Sequence, residues 1–433
     1  MLNCSMIRLA AAALCAGLSG VALAQVQAPT VTLYGSADGG FTRTTGLAGG
    51  KNAVVSGIMD GSRFGLKGDE SLGGGYRALF TLENRIELDT GAMGNRAQSG
   101  TQTPDRFSQV ALLNQAGSSA LPTSGVAGQF VQSAVTSVAA AVGSTVGVNL
   151  DNRSFDRQAW VGLVTPVGGF MLGRQYTPAY ETGATFDILG TSSALSAAQV
   201  ATLPAGFDIR VDNALQYRVV QGGFTGSLMV APGEVSTNAK ARDFAGAMLR
   251  YQNESFGIGL AYNERHNDVG QKSLRNVVLG ASKSIGATTL NAMMVTIRDD
   301  NPSGVSTIAT QTAALSAVNA ALPAAVQSAF TNALKQDARL YHLGYKLSKG
   351  AHTVYTAYNV YDDRRPANAD VRSYGAVYLY ALSKRTDISG QVVRFVNGDL
   401  AQAAPGQIGY LGGVTRSAGT DSTVIAAGIR HRF

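Results

Sequence analysis

The 433-residue chain carries 35 Lys and Arg against 28 Asp and Glu, a net charge of +7 with His neutral, and only 15% of its residues are charged, against about 25% in soluble chains. Hydrophobic residues are an ordinary 45%, but 52 residues are Gly. This excludes a disordered chain, and beyond the N-terminus no run approaches the ~20 apolar residues of a membrane-crossing helix; it fits an all-β, closed antiparallel transmembrane β-barrel, where only alternate strand positions need be apolar.

Residues 1–24 read as a cleaved signal peptide. Arg8 is the positive n-region, an apolar run follows, and Ala22-Leu23-Ala24 places small residues before Gln25. Its loss takes away one cation and no acid, so the balance falls from +7 to +6. Both cysteines, Cys4 and Cys15, lie in this segment. The rest of the chain, 25–433, therefore has no disulfide, no thiolate metal site and no thiol nucleophile, and it reads as a single domain.

Alternation then marks the strands. In Tyr76 to Leu88 one face reads Tyr76, Ala78, Phe80, Leu82, Asn84, Ile86 and Leu88. The other reads Arg77, Leu79, Thr81, Glu83, Arg85 and Glu87. Segments of this kind fall near 31–43, 62–70, 76–88, 155–164, 168–176, 212–219, 223–231, 243–253, 255–265, 273–283, 287–297, 337–347, 351–362, 371–384, 386–397 and 422–433, sixteen in all. An even count suits a closed barrel with both ends on one side. Short Gly-, Ser- and Asn-rich connections, such as Gly73-Gly74-Gly75 and Ser348-Lys349-Gly350, alternate with long ones. The short ones suit periplasmic turns and the long ones outward-facing loops. The long ones run near 44–61, 90–154, 177–211, 232–242, 266–272, 298–336, 363–370 and 398–421.

Two loops carry helical periodicity. In Thr307 to Lys335 the apolar positions are Leu315, Val318, Leu322, Val326, Phe330 and Leu334, with a break or kink expected at Pro323. Phe130 to Val142 is a second such stretch. Both are expected to cap the mouth of the barrel rather than to form domains.

The four histidines, His266, His342, His352 and His431, have no metal-ligand spacing and no Ser partner in a nucleophile motif. Gly73-Gly74-Gly75 lacks the Lys-Ser/Thr of a phosphate cradle. Enzymatic chemistry, a cofactor, a metal and a nucleic-acid partner are not expected. Tyr262, Phe256, Tyr345, Tyr355, Tyr358, Tyr378, Tyr380 and Phe433 fall near strand ends or on apolar faces, as interfacial girdles require. Lumen-facing positions read as polar and often small, which favours conduction over a filled barrel.

Val31-Thr32-Leu33-Tyr34-Gly35, Ser62 to Gly68, Leu72 to Gly75, Asp156 to Leu163, Leu172-Gly173-Arg174-Gln175-Tyr176 and Gly428 to Phe433 stand in order along the chain. Together they resemble the sixteen-stranded general-diffusion porins of Gram-negative bacteria, especially their beta-proteobacterial branch. The resemblance implies an outer-membrane homotrimer in lipid, a water-filled channel in each protomer, and a third loop folded inside. It places Arg63, Arg157 and Arg210 on a basic wall at the narrowest point, facing that loop. Lys67 and Arg85 share lumen-facing parity with Arg63 and Glu83 and are further candidates. Glu181 and Asp187 are the candidate acids of the third loop. By the same resemblance the alternating terminal strand ending in Phe433 is what the outer-membrane assembly machinery reads. Loops two and six are enlarged relative to the family pattern.

The reading is a passive channel for small hydrophilic solutes that prefers anions, since a ring of cations concentrates anions and repels cations. Two alternatives stand beside it. One is a solute-specific anion porin; the other is a structural or adhesive barrel that conducts poorly.

Overall fold

The computed structural model describes residues 30–49, 52–93, 103–146, 154–202, 204–406 and 413–433. The expected signal segment lies outside the described residues.

The strands, in chain order, are β1 (Thr30–Thr44), β2 (Asn52–Ser56), β3 (Arg63–Gly73), β4 (Tyr76–Arg85), β5 (Gln158–Thr165), β6 (Gly168–Tyr176), β7 (Arg210–Gln221), β8 (Phe224–Ala231), β9 (Phe244–Gln252), β10 (Phe256–His266), β11 (Lys272–Ile285), β12 (Thr288–Asp299), β13 (Gln336–Lys349), β14 (His352–Asp363), β15 (Val371–Ala381), β16 (Thr386–Asn397), β17 (Ala403–Ala404), β18 (Gly413–Val414) and β19 (Ser422–Arg432). Neighbours in the wall pair antiparallel all the way round, and β19 returns to β1 with Ser36 opposite Arg432 and Thr44 opposite Val424. Closure leaves no strand edge in lipid, where unpaired backbone groups are costly. All sixteen expected strands are present, with ends displaced by at most a few residues. Tight turns join them on one side, and Gly222 and Gly223 show why glycine recurs there: both adopt positive φ, 58° and 86°.

The outer surface alternates as lipid demands. In β10, Phe256, Ile258, Leu260 and Tyr262 are exposed outward, whereas Gly257, Gly259, Ala261 and Asn263 are turned in and buried. Of the expected girdle aromatics, Phe256, Tyr262, Tyr345, Tyr358, Tyr378 and Phe433 are exposed. Tyr355 differs: it shares the inward parity of Ala357 and Asn359, and its ring packs on the internal core.

β2 occupies part of the expected first loop. β2 and β3 both pair with β1, one after the other, as if a single wall strand had been cut between residues 56 and 63. The intervening residues turn inward. Asp38 of β1 holds them by accepting the backbone N–H groups of Ile58, Met59 and Asp60 at 2.8, 3.0 and 2.8 Å.

Loops two and six pack against each other. Helices α1 (Asp105–Ser108), α2 (Val110–Gly117) and α3 (Gly125–Val146) come from the second loop. The third loop, 177–209, instead enters the lumen. It opens with helix α4 (Pro178–Phe186), capped by the Thr177 hydroxyl, which accepts from the Tyr180 N–H. The third loop and the inner faces of β11 to β16 bury one continuous apolar core that includes Phe186, Ile188, Leu195, Val200, Val295, Ile297, Leu340, Val377, Val393 and Phe395. This corrects the expectation that lumen-facing positions are polar and often small. On this side the inward positions are apolar because a loop, not water, covers them. Each fully buried side chain of this size contributes roughly 1.5–3 kcal/mol. Polar groups pin the loop tip: the Ile188 N–H donates to His342 Nε2 at 3.0 Å, and Asn359 Nδ2 donates to the Leu195 carbonyl at 2.8 Å.

Helices α5 (Ile308–Gln311) and α6 (Leu322–Leu334) come from the sixth loop. Loops two and six share a core of their own, with Phe107, Leu113, Val131, Val135, Ile308, Val326 and Phe330 fully buried. Pro323 starts α6 instead of breaking it, since the N–H that proline lacks has no helical partner in the first turn.

Candidate functional site

The apolar seat of the third loop fills one side of the lumen and leaves polar wall on the other, along β3 to β9. Here side chains from separate strands form a chain of alternating guanidinium and acceptor groups. Arg63 contacts Asp60 at 2.7 Å and Glu83 at 3.5 Å. Arg157 Nε donates to Glu83 Oε1 at 2.6 Å. Arg157 and Arg210 both donate to the Tyr176 hydroxyl oxygen, at 3.1 and 2.9 Å. The Tyr34 hydroxyl donates to Glu83 Oε2 at 3.0 Å, so Glu83 is almost wholly enclosed by donors.

A cavity of about 390 Å³ opens in front of this chain. Six arginines line it: Arg63, Arg85, Arg157, Arg210, Arg218 and Arg250. Only two carboxylates join them, Asp60 and Glu181. Tyr180 and residues 190–192 of the third loop make the facing side. A second cavity, about 900 Å³, reaches the short turns at 165–169 and shares Tyr176, Glu181 and Arg218 with the first. The two therefore adjoin along the barrel axis.

The two acids differ in electrostatic setting. Burial alone would raise the Asp60 carboxyl, but the hydrogen bond and charge of Arg63 outweigh it and hold it below the usual carboxylate range. Burial raises the Glu181 carboxyl, and the nearby Arg218 and Arg250 offset this only in part. Glu181 forms an ion pair with Arg218, and its backbone carbonyl lies 3.4 Å from Arg250 Nη1.

The structure thus brings together Arg63, Arg85, Arg157, Arg210 and Glu181 from the sequence-derived set. Arg85 is also held by Asp156 at 3.2 Å and is almost buried. Lys67 is not in the cavity; it lies further down β3, exposed, with its ammonium 5.5 Å from the Tyr34 ring centroid. Asp187 is not there either. Its carboxylate accepts from the Leu189 N–H at 2.9 Å, the Ser196 hydroxyl at 2.7 Å and the Ala197 N–H at 2.9 Å, so it shapes the third loop from within. Phe433 sits at the barrel closure, exchanging backbone hydrogen bonds with Gly35 at 3.0 and 3.2 Å.

Sequence reasoning missed Asp60, Tyr176, Arg218 and Arg250. Parity would have found the two arginines: Arg218 shares the inward face of Ala214 and Gln216, and Arg250 that of Gly246 and Met248. Asp60 carried no such signal, because the inward turn of residues 57–62 depends on Asp38. Among the described residues no group of three or more His, Cys, Asp or Glu is placed to hold a metal ion.

Residues 10–400 match the family described as Gram-negative porin. Outer membrane porin protein 32 of Delftia acidovorans is 24% identical over 432 residues, 96% of each chain. An outer membrane porin protein of Bordetella pertussis, strain Tohama I, is 37% identical over 107 residues, which are 21% of this chain and 26% of that protein. Among solved structures, an anion-selective porin from Comamonas acidovorans aligns with a TM-score of 0.66 at 21% identity, over 94% of this chain and 100% of that one.

Proposed function

As this chain belongs to the Gram-negative porin family and forms a diffusion channel in the outer membrane, we propose that the channel passes small hydrophilic solutes with a preference for anions, and that the arginine-lined cavity is its narrowest, selecting part. The observation that carries this reading is the imbalance at the cavity: six guanidiniums line it against the carboxylates of Asp60 and Glu181, and cations stay in excess when Glu83 and Asp156, which pair with Arg63, Arg157 and Arg85, are included. In a narrow aqueous neck such an excess attracts anions and repels cations over the Debye length, ~8–10 Å at physiological salt. The solved relative described as anion-selective supports the same direction. Arg63, Arg157, Arg210 and Arg85 form the basic wall, and Glu181 with Asp60 tempers it. Lys67 acts only as an outlying lumen charge.

Three further parts of the reading rest on the sequence and on family resemblance. The mature chain starts at Gln25, the channel assembles as a homotrimer, and the terminal Phe433 is recognised during outer-membrane assembly.

The test is a single-channel recording in a planar bilayer under a potassium chloride gradient. The reversal potential is expected on the anion side. A reversal potential on the cation side would reject the preference while leaving the channel itself intact.

A further inference from the structure

The chain Asp60–Arg63–Glu83–Arg157–Tyr176–Arg210 uses two unlike spacers. At one end Arg63 and Arg157 share the carboxylate of Glu83, and Arg63 also meets Asp60. Those cations are held together at the cost of their charge. At the other end Arg157 and Arg210 converge on one phenol oxygen. A hydroxyl oxygen has two lone pairs and accepts both bonds without adding a negative charge. Among the described residues no carboxylate forms an ion pair with the Arg210 guanidinium. Its contacts are the Tyr176 hydroxyl and the Tyr176 ring, 4.5 Å from its central carbon.

From this geometry we infer that Tyr176 is a positioning residue for selectivity: its phenol oxygen holds the Arg210 guanidinium beside the Glu83-paired Arg157 without adding a counter-charge of its own. The Arg157–Arg210 end is thereby the positive pole of the passage. The inference rests on the anion-preferring reading above.

The backbone is built to deliver this side chain. Along β6, Phe170 and Leu172 are exposed outward, and strict alternation would send Tyr176 to lipid with them. The ladder between β6 and β7 shifts register between Gly173 and Gln175, and Gly173 has a φ of 125°. Two steps on β6 are matched there by three on β7, so the extra residue lies on β7 and the shift brings Arg210 opposite Tyr176. Beyond this irregularity Tyr176 lines the cavity beside Arg210. Its ring is then fixed by stacking on Tyr180, with centroids 5.2 Å apart. Tyr180 belongs to α4, so the third loop is what locks the ring in place.

The experiment compares reversal potentials of the full-length channel in a potassium chloride gradient for the wild type, Tyr176→Phe, Glu83→Gln and Arg210→Lys, with gel mobility before and after heating as the check on folding. Tyr176→Phe keeps the ring and removes only the shared acceptor. It should lower the anion-to-cation permeability ratio by about twofold, as expected when one guanidinium shifts by a few ångströms in a screened medium. Glu83→Gln removes a counter-charge and should raise the ratio. A merely structural role would move both variants the same way, and two falls together would overturn the inference. Arg210→Lys keeps the charge and loses the planar donor; it should fall as Tyr176→Phe does. It also decides the matter if Tyr176→Phe fails to fold, since a fully selective Arg210→Lys channel would show that charge alone, and not its placement, sets the filter. An anion-preferring wild type with an unchanged Tyr176→Phe variant overturns this inference only. A cation-preferring wild type overturns the reading it rests on.

Discussion

The ring of Phe186 lies directly over Gly280, so closely that it leaves no room for a Cβ there. One residue ends the helix of the third loop, and the other belongs to the barrel wall on β11. The absence of a side chain on β11 is what lets the loop lie flat against the wall. Gly280→Val should therefore lift α4 towards the arginines. We expect altered single-channel conductance and a stability loss of roughly 1–3 kcal/mol, the range for overpacking. Gly390→Ala, whose added Cβ would have its nearest neighbour at 4.0 Å, should change neither. Equal conductance in both variants would show that the loop does not set the passage.

Replacing Arg63, Arg157 and Arg210 together by Gln should lower the anion-to-cation permeability ratio. The effect should fade above roughly 1 M salt, where the Debye length falls to ~3 Å. Arg85, Arg218 and Arg250 remain in the triple variant, against Asp60, Glu83, Asp156 and Glu181, so most of the preference should be lost. An unchanged reversal potential at low salt would remove the three arginines from the filter.

Anion preference should grow on acidification. Glu181 titrates above the usual carboxylate range, so it takes up its proton first and the cavity becomes more positive. Asp60 is held low by Arg63 and follows only at more acidic pH. Each protonation removes a negative charge, so both steps act in the same direction. Glu181→Gln should abolish the first step and retain the second, read as reversal potential against pH. A preference for anions that falls with acidification would contradict the assignment.

Deleting Phe433 should reduce outer-membrane abundance in cells while the purified chain still refolds in detergent. The backbone bonds to Gly35 sit at the closure of the barrel, where β19 meets β1, but nine residue pairs of that ladder remain without them. Unchanged surface abundance would rule out the targeting role.

The helices of loops two and six should respond separately from the barrel. Phe330 is fully buried in their shared core, not in the lumen. Phe330→Ala should destabilise that cap by roughly 3–5 kcal/mol, the usual cost of deleting a buried phenylalanine. Limited proteolysis should then cut within the two loops while the barrel keeps its heat-modifiable mobility. Loss of the barrel together with the cap would show that the two fold as one unit.

Strand number and sidedness were legible because lipid outside and water or loop inside impose a period of two on every wall segment. Arg85 could be named for the same reason, by its parity with Glu83, whereas Arg63, Arg157 and Arg210 were placed by the family resemblance. Tyr355 and the apolar inner face of β11 to β16 were not legible. Alternation shows which positions face inward, but it cannot show whether water or the third loop covers them. Asp187 was misplaced for a related reason: an acid in a lumenal loop can face either the passage or its own backbone, and only the fold of that loop chooses.

Local periodicity and charge are therefore enough for the sixteen-stranded wall, the alternation of turns and loops, and the basic character of the lumen. Which charges face one another is a property of the folded chain. Asp60 enters the cavity because Asp38 turns a segment inward, and Tyr176 meets Arg210 because a bulge in β7 shifts the β6–β7 register. Both depend on contacts between residues distant in the chain or on a one-residue slip in pairing. No local pattern encodes either, because a slip of one residue leaves the alternation of the flanking residues intact while exchanging the two faces.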